Sequence, residues 1–277
     1  MKTFIFTLFF FFSALSAANE TQNSANWVDA FTNKRDAGGY LSVGIAVQNQ
    51  QGLYQSSGIK LKGNVHGAYY FENGFLLEFP GLSDKFESQF ALGYNIANLG
   101  NWEFDALLSM AHGEIKYNAQ QDGFSKEASP YFGLRAMGTI ADLDAMFVVG
   151  TNSNKMDYSG GVYAAAWLAK SWNINNWTLY SSIGAQYRND AILDYYYGVP
   201  ESAQVTEPFQ ATGGFNYLYK LGVKKPLDEH WLIEGFFSYT HYASSIVDSP
   251  YSQNILKFNE GRSDQGSLFN LSINYVF

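Results

Sequence analysis

The chain has 277 residues, no cysteine, a formal net charge of −8 and an aromatic content of 18%. Without cysteine a disulfide framework is excluded, and the acidic balance argues against nucleic acid, which needs a basic patch. After the first eighteen residues no stretch approaches the roughly 20 apolar residues of a membrane helix, so any crossing of a membrane must use strands.

Taken in chain order, residues 1–18 read as a cleaved signal peptide. Lys2 supplies the positive end, Phe4 to Phe12 a short apolar stretch, and Ser16-Ala17-Ala18 the small residues of a cleavage site. Loss of Lys2 leaves the mature chain one unit more acidic. Residues 19–37 then form a polar segment without strand alternation, expected in the periplasm. It carries Trp27, Val28 and Phe31, which are costly to leave in water. These three are the candidate contact for a periplasmic partner; the alternative is that they plug the mouth of a barrel.

From residue 38 to residue 277 a period of two governs the chain. In NWEFDALLSM, Trp102, Phe104, Ala106, Leu108 and Met110 oppose Glu103, Asp105 and Ser109. In FESQFALGYNI, residues Phe86 to Ile96 alternate in the same way. The last strand, SLFNLSINYVF, sets Phe269, Leu271, Ile273, Tyr275 and Phe277 against Asn270, Ser272 and Asn274. About twelve such segments are predicted, centred near residues 43, 67, 77, 91, 106, 134, 146, 164, 182, 218, 236 and 272.

The connections alternate too. Short ones are expected at 72–74, 97–100, 141–142, 171–176 and 225–229, and longer ones at 49–62, 80–85, 113–128, 151–156, 188–211 and 243–265. Apolar groups on one face of every strand, amides and acids on the other, and long loops at one end predict a transmembrane antiparallel up-and-down β-barrel. Its short turns and both termini lie in the periplasm. Inside a bilayer every backbone N–H and C=O must be paired, so the sheet must close. Keeping Phe71 and Phe75 on one face requires a three-residue turn at Glu72-Asn73-Gly74.

Two loop stretches go beyond barrel chemistry. Asp194-Tyr195-Tyr196-Tyr197-Gly198-Val199, followed by Pro200-Glu201-Ser202-Ala203, resembles the D-Y-Y-F-G-V segment of the MipA/OmpV family of outer-membrane proteins. Asp248-Ser249-Pro250 resembles that family's D-S-P motif, although Tyr251-Ser252 stands where an aliphatic pair is expected. The likeness is clearest over residues 190–277. It implies a Gram-negative outer-membrane location and a scaffold role for periplasmic peptidoglycan enzymes, a lytic transglycosylase and a synthase among them. The terminal Phe277 resembles the signal read by the barrel assembly machinery.

The residues give little support to an enzyme. His66, His112, His230 and His241 are neither clustered at ligand spacing nor followed by Ser two positions on, so no metal, cofactor or catalytic residue is expected. Glu103 and Asp105 read as the wall of a wet lumen. Lys220 and Glu234 are predicted to stand opposite each other as a lumen charge pair, taking the turn as centred near residue 227. The alternative function is a narrow channel, made cation-favouring by Glu78, Glu87, Glu103, Asp105 and Glu234.

Overall fold

The computed structural model describes residues 35–53, 57–82, 84–87, 90–117, 124–152, 160–201, 207–258 and 261–277. The signal peptide and Trp27, Val28 and Phe31 lie outside the described residues. Among the described residues there are fourteen strands: β1 (Gly38–Gln51), β2 (Ile59–Tyr70), β3 (Phe75–Phe79), β4 (Ala91–Leu99), β5 (Trp102–His112), β6 (Ile115–Tyr117), β7 (Phe124–Lys126), β8 (Ser129–Ile140), β9 (Leu143–Thr151), β10 (Val162–Ile174), β11 (Trp177–Arg188), β12 (Gly214–Pro226), β13 (Trp231–His241) and β14 (Gln265–Val276). Twelve of them close an antiparallel barrel in chain order, and β6 and β7 form a separate hairpin inside the β5–β8 connection.

The period-two pattern is what the barrel needs. On β1, Val43, Ile45 and Val47 point outward and stay exposed, whereas Ser42, Ala46 and Gln48 are buried. On β14, Phe269, Leu271 and Ile273 point outward and Asn270, Ser272 and Asn274 are buried. A soluble sheet buries its apolar face; here the apolar face is outside, where lipid meets it. The seam runs from Ser42 opposite Val276 to Gln51 opposite Ser267 and closes the barrel. Phe277 donates its N–H to Leu41 O at 2.8 Å, one step past the end of β14.

The turns follow the predicted division into short and long. Phe71 and Phe75 close the three-residue turn through a 2.9 Å bond from Phe71 N–H to Phe75 O, with Gly74 at φ 91°. At the β12–β13 turn the Asp228 carboxylate accepts the N–H groups of His230 and Trp231, both at 2.8 Å. These bonds hold the Asp228 carboxyl below its usual range. Next to it the rings of His230, Trp231, Tyr275 and Phe277 pack in contact, an aromatic cluster at the short-turn rim.

Three details depart from expectation. The stretch from Phe86 is not a strand at its start: β4 begins at Ala91, and Asp84 and Lys85 ahead of it reach partners on the inner wall. A bulge between Asn95 and Ala97 then breaks the alternation, so Ile96 leaves the face of Leu92 and Tyr94. Pro226 ends β12 and does not lie between strands, at a position where its absent N–H removes little of the ladder.

Candidate functional site

The described parts of the long connections at one end form a lid. Helix α1 (Asp190–Tyr197) starts at Asn189, whose side chain accepts from Ile192 N–H. Its Ile192, Leu193, Tyr196 and Tyr197 are buried, and they join Tyr131, Tyr163 and Trp167 of the barrel wall in one apolar core. Trp167 lies flat over Gly184, where a Cβ would overlap the ring. Helices α2 (Ser244–Val247) and α3 (Pro250–Phe258) cover the same mouth, with Ile246 in that core.

The two motif loops are the fastenings of this lid. Asp190 and Asp194 carboxylates accept the N–H groups of Gly213 and Ala211, at 2.7 and 2.9 Å. Gly198 donates to Asp194 O at 2.8 Å, and a side chain there would overlap the Asp194 carbonyl and carboxylate. Val199 then bridges Phe209. Tyr196 donates to the Glu127 carbonyl and stacks on His112, centroids 3.9 Å apart; the Tyr197 hydroxyl is hydrogen-bonded to His112 Nε2 at 3.0 Å. Tyr195 lies under the Lys126 ammonium, 4.4 Å from the ring centre. Ser249 Oγ, fully buried, donates to Tyr197 O at 2.7 Å, and Asp248 N–H closes α2 on Ser244 O. Pro250 takes the first position of α3, where no N–H is needed.

Below the lid the lumen is polar and cross-linked. Arg135 gives paired bonds to Glu78 at 2.6 and 2.8 Å and bonds to Asp105 at 2.8 and 3.1 Å. Arg35, just ahead of β1, reaches in to Glu103 and lies 4.5 Å over the Tyr70 ring. Across the lumen Glu234 takes a 2.6 Å bond from Asn274 and a 3.0 Å ion pair from Lys224. Lys220 and Glu234 both point inward, but they are not partners. Lys220 stands opposite Ser238 and Glu234 opposite Lys224, because Pro226 pairs with Leu232 and centres the turn on Glu229.

Lys220 instead holds a strap. The strap is the β3–β4 connection, and Lys220 Nζ donates to its Leu82 and Asp84 carbonyls at 3.1 and 2.9 Å. Lys85 pairs with Asp144 at 2.6 Å, close to the short β8–β9 turn, so the strap reaches the short-turn half. Beneath it is a cavity of about 380 Å³, whose wall includes Ser171 and Thr178 beside the β10–β11 turn. Arg35, Arg135, Lys224 and the strap had no local sequence signal, since their partners lie far along the chain. Among the described residues, no group of three or more His, Cys, Asp or Glu is placed to hold a metal ion.

No curated protein matches the chain. Among solved structures it is similar to the trimer form of OmpT of Vibrio cholerae (10% identity, covering 88% of this chain and 100% of that chain, TM-score 0.44). It is similar also to the KdgM porin in complex with oligogalacturonate (10%, 85% and 99%, 0.41) and to the translocator domain of the autotransporter NalP from Neisseria meningitidis (11%, 95% and 92%, 0.41). At these scores they carry no inference about cargo or partner. The family model described as MltA-interacting protein MipA matches residues 43–277, from within β1 to the terminal phenylalanine, and the chain therefore belongs to the MipA family, with the closed barrel of an outer-membrane protein.

Proposed function

We propose that this outer-membrane barrel is a non-catalytic, non-conducting scaffold whose periplasmic face receives a murein-remodelling enzyme of the MltA type. The observation that carries the reading is the lid: the mouth on the long-loop side is filled by α1 and its two buried tyrosines, packed into the barrel wall. Long loops face outward in barrels of this class and short turns face the periplasm. A partner that works on peptidoglycan therefore meets the mature N-terminal segment with Trp27, Val28 and Phe31, and the turns near 171–176 and 225–229.

Two observations weigh against the alternatives. A cation-favouring channel needs unneutralised acids along its path, yet Glu78 and Asp105 are bound by Arg135, Glu103 by Arg35 and Glu234 by Lys224. A hydrolytic site needs a nucleophile within hydrogen-bond reach of its base. Ser42 faces His66 across β1 and β2, and His66 Nε2 is 3.7 Å from Glu234, but neither Ser42 Oγ nor the His66 ring makes a hydrogen bond.

The test joins planar-bilayer conductance to capture of a purified lytic transglycosylase by the folded barrel. Capture without conductance is expected, with capture lost on deletion of residues 20–36. Steady conductance by the intact protein, with no capture, overturns the scaffold reading in favour of a pore.

A further inference from the structure

The cavity beneath the strap has walls of a definite chemistry. Tyr40, Tyr70 and Tyr180 line it on the barrel side, and Phe86 closes it from the strap. Two kinds of ion pair border it. Arg135 is 4% exposed and saturated by Glu78 and Asp105, so it is fixed structure. The Lys85–Asp144 pair is different: its side chains are 38% and 33% exposed. Lys224, 27% exposed, stands 3.0 Å from Glu234 and 3.6 Å from Asp84, which is equally open. The half-wet pairs Lys85–Asp144 and Lys224–Asp84 contribute little stability and exchange one partner for another at small cost, whereas Glu234 is fully buried and keeps Lys224.

We propose that this cavity binds a short zwitterionic peptide. The ligand's carboxylate takes the place of Asp84 on Lys224, beside Lys85, its ammonium lies on the Asp84 so released, and its small side chains rest against the tyrosine rings, while Lys224 keeps Glu234. Each ligand charge replaces one displaced from an existing pair, so no charge is left unpaired in the low-dielectric lumen. A simple anion on Lys224 leaves Asp84 without its cation. A neutral saccharide has nothing to exchange with either. The volume suits a small ligand. The inference rests on the periplasm-facing reading proposed above, because short peptides ending in carboxylates are constituents of murein on that side.

The experiment is titration calorimetry on the full mature protein in detergent micelles, with trialanine as the probe. Trialanine acetylated at one end and amidated at the other removes both charges, and chitobiose serves as the neutral saccharide. Trialanine should bind, the blocked peptide at least about tenfold more weakly, and chitobiose not at all. Lys85→Gln, which breaks only a half-exposed pair, should weaken trialanine about tenfold while the barrel remains heat-modifiable. Equal binding of free and blocked peptide, or binding of chitobiose alone, overturns the proposal. So does trialanine binding that appears only after residues 19–34 are removed, since that segment is then the occupant. Transglycosylase capture on the same preparations separates the two readings: capture without peptide binding sinks this one alone, and peptide binding without capture sinks only the scaffold.

Discussion

Ser249 Oγ donates a 2.7 Å hydrogen bond to the carbonyl of Tyr197, across 52 positions of sequence, and ties the two motif loops together inside the lid. Both motifs are thus parts of one buried joint, and the D-S-P serine is the latch on the end of α1.

Ser249→Ala should leave the Tyr197 carbonyl buried without this donor, at a cost of about 1–3 kcal/mol. The loss is expected in the lid before the barrel. Limited proteolysis of the long loops should accelerate while the gel mobility of the unheated barrel stays unchanged. An equal loss in both measures contradicts a separable lid.

Arg135 is the centre of the lumen network. Arg135→Met strands two buried carboxylates and should cost about 3–5 kcal/mol in urea unfolding from micelles. Arg135→Lys should recover little, because an ammonium cannot reproduce the paired bonds to Glu78. Combining Arg135→Met with Glu78→Gln and Asp105→Asn should restore most of the loss.

The outward face sets a sharper contrast. Tyr219 and Leu92 are exposed on the lipid side. Arginine at either position should cost about 2–4 kcal/mol where the side chain lies near the bilayer midplane. Unfolding from liposomes should show it, and Leu92→Ile should be nearly silent.

How much of this was legible in the sequence depends on the range of the interaction. The strands, their number and the two classes of connection follow from alternation, which each strand carries within itself. The register of β12 against β13 did not, because it depends on the turn. Asp228 draws in the N–H groups of His230 and Trp231 and moves the centre two residues beyond the expected one, which changes the partner of Lys220. The strap was hidden for a different reason: Phe86 alternates correctly with its neighbours, yet its stretch is held away from the sheet by Lys220, far along the chain. The motif loops were recognisable by resemblance, whereas His112, on which both tyrosines rest, offered only a lone histidine at a strand end.

Asp228 supplies a pH test. Its carboxyl is held below the ordinary value by the two backbone N–H groups, so its contribution is full above the unfolded value near 3.8 and is lost as pH falls through the lower folded value. Asp228→Asn should therefore flatten the acid limb of the unfolding profile and leave the neutral region nearly unchanged. A mutant profile parallel to the parent below pH 4 rejects this role for the carboxylate.

The strap has one more consequence, for the order in which the molecule is made. Leu82 and Asp84 are held from the inner wall, and both ends of their segment are anchored in neighbouring strands β3 and β4. Lys220, its holder, belongs to a strand that follows more than a hundred residues later in the chain. The seam between β1 and β14 is the last pairing a growing sheet can make. Until β12 joins the sheet, the strap has no hold from that side of the lumen. The grip of Lys220 on Leu82 and Asp84 therefore forms late in biogenesis, after β12 has joined the sheet, and the finished barrel preserves it.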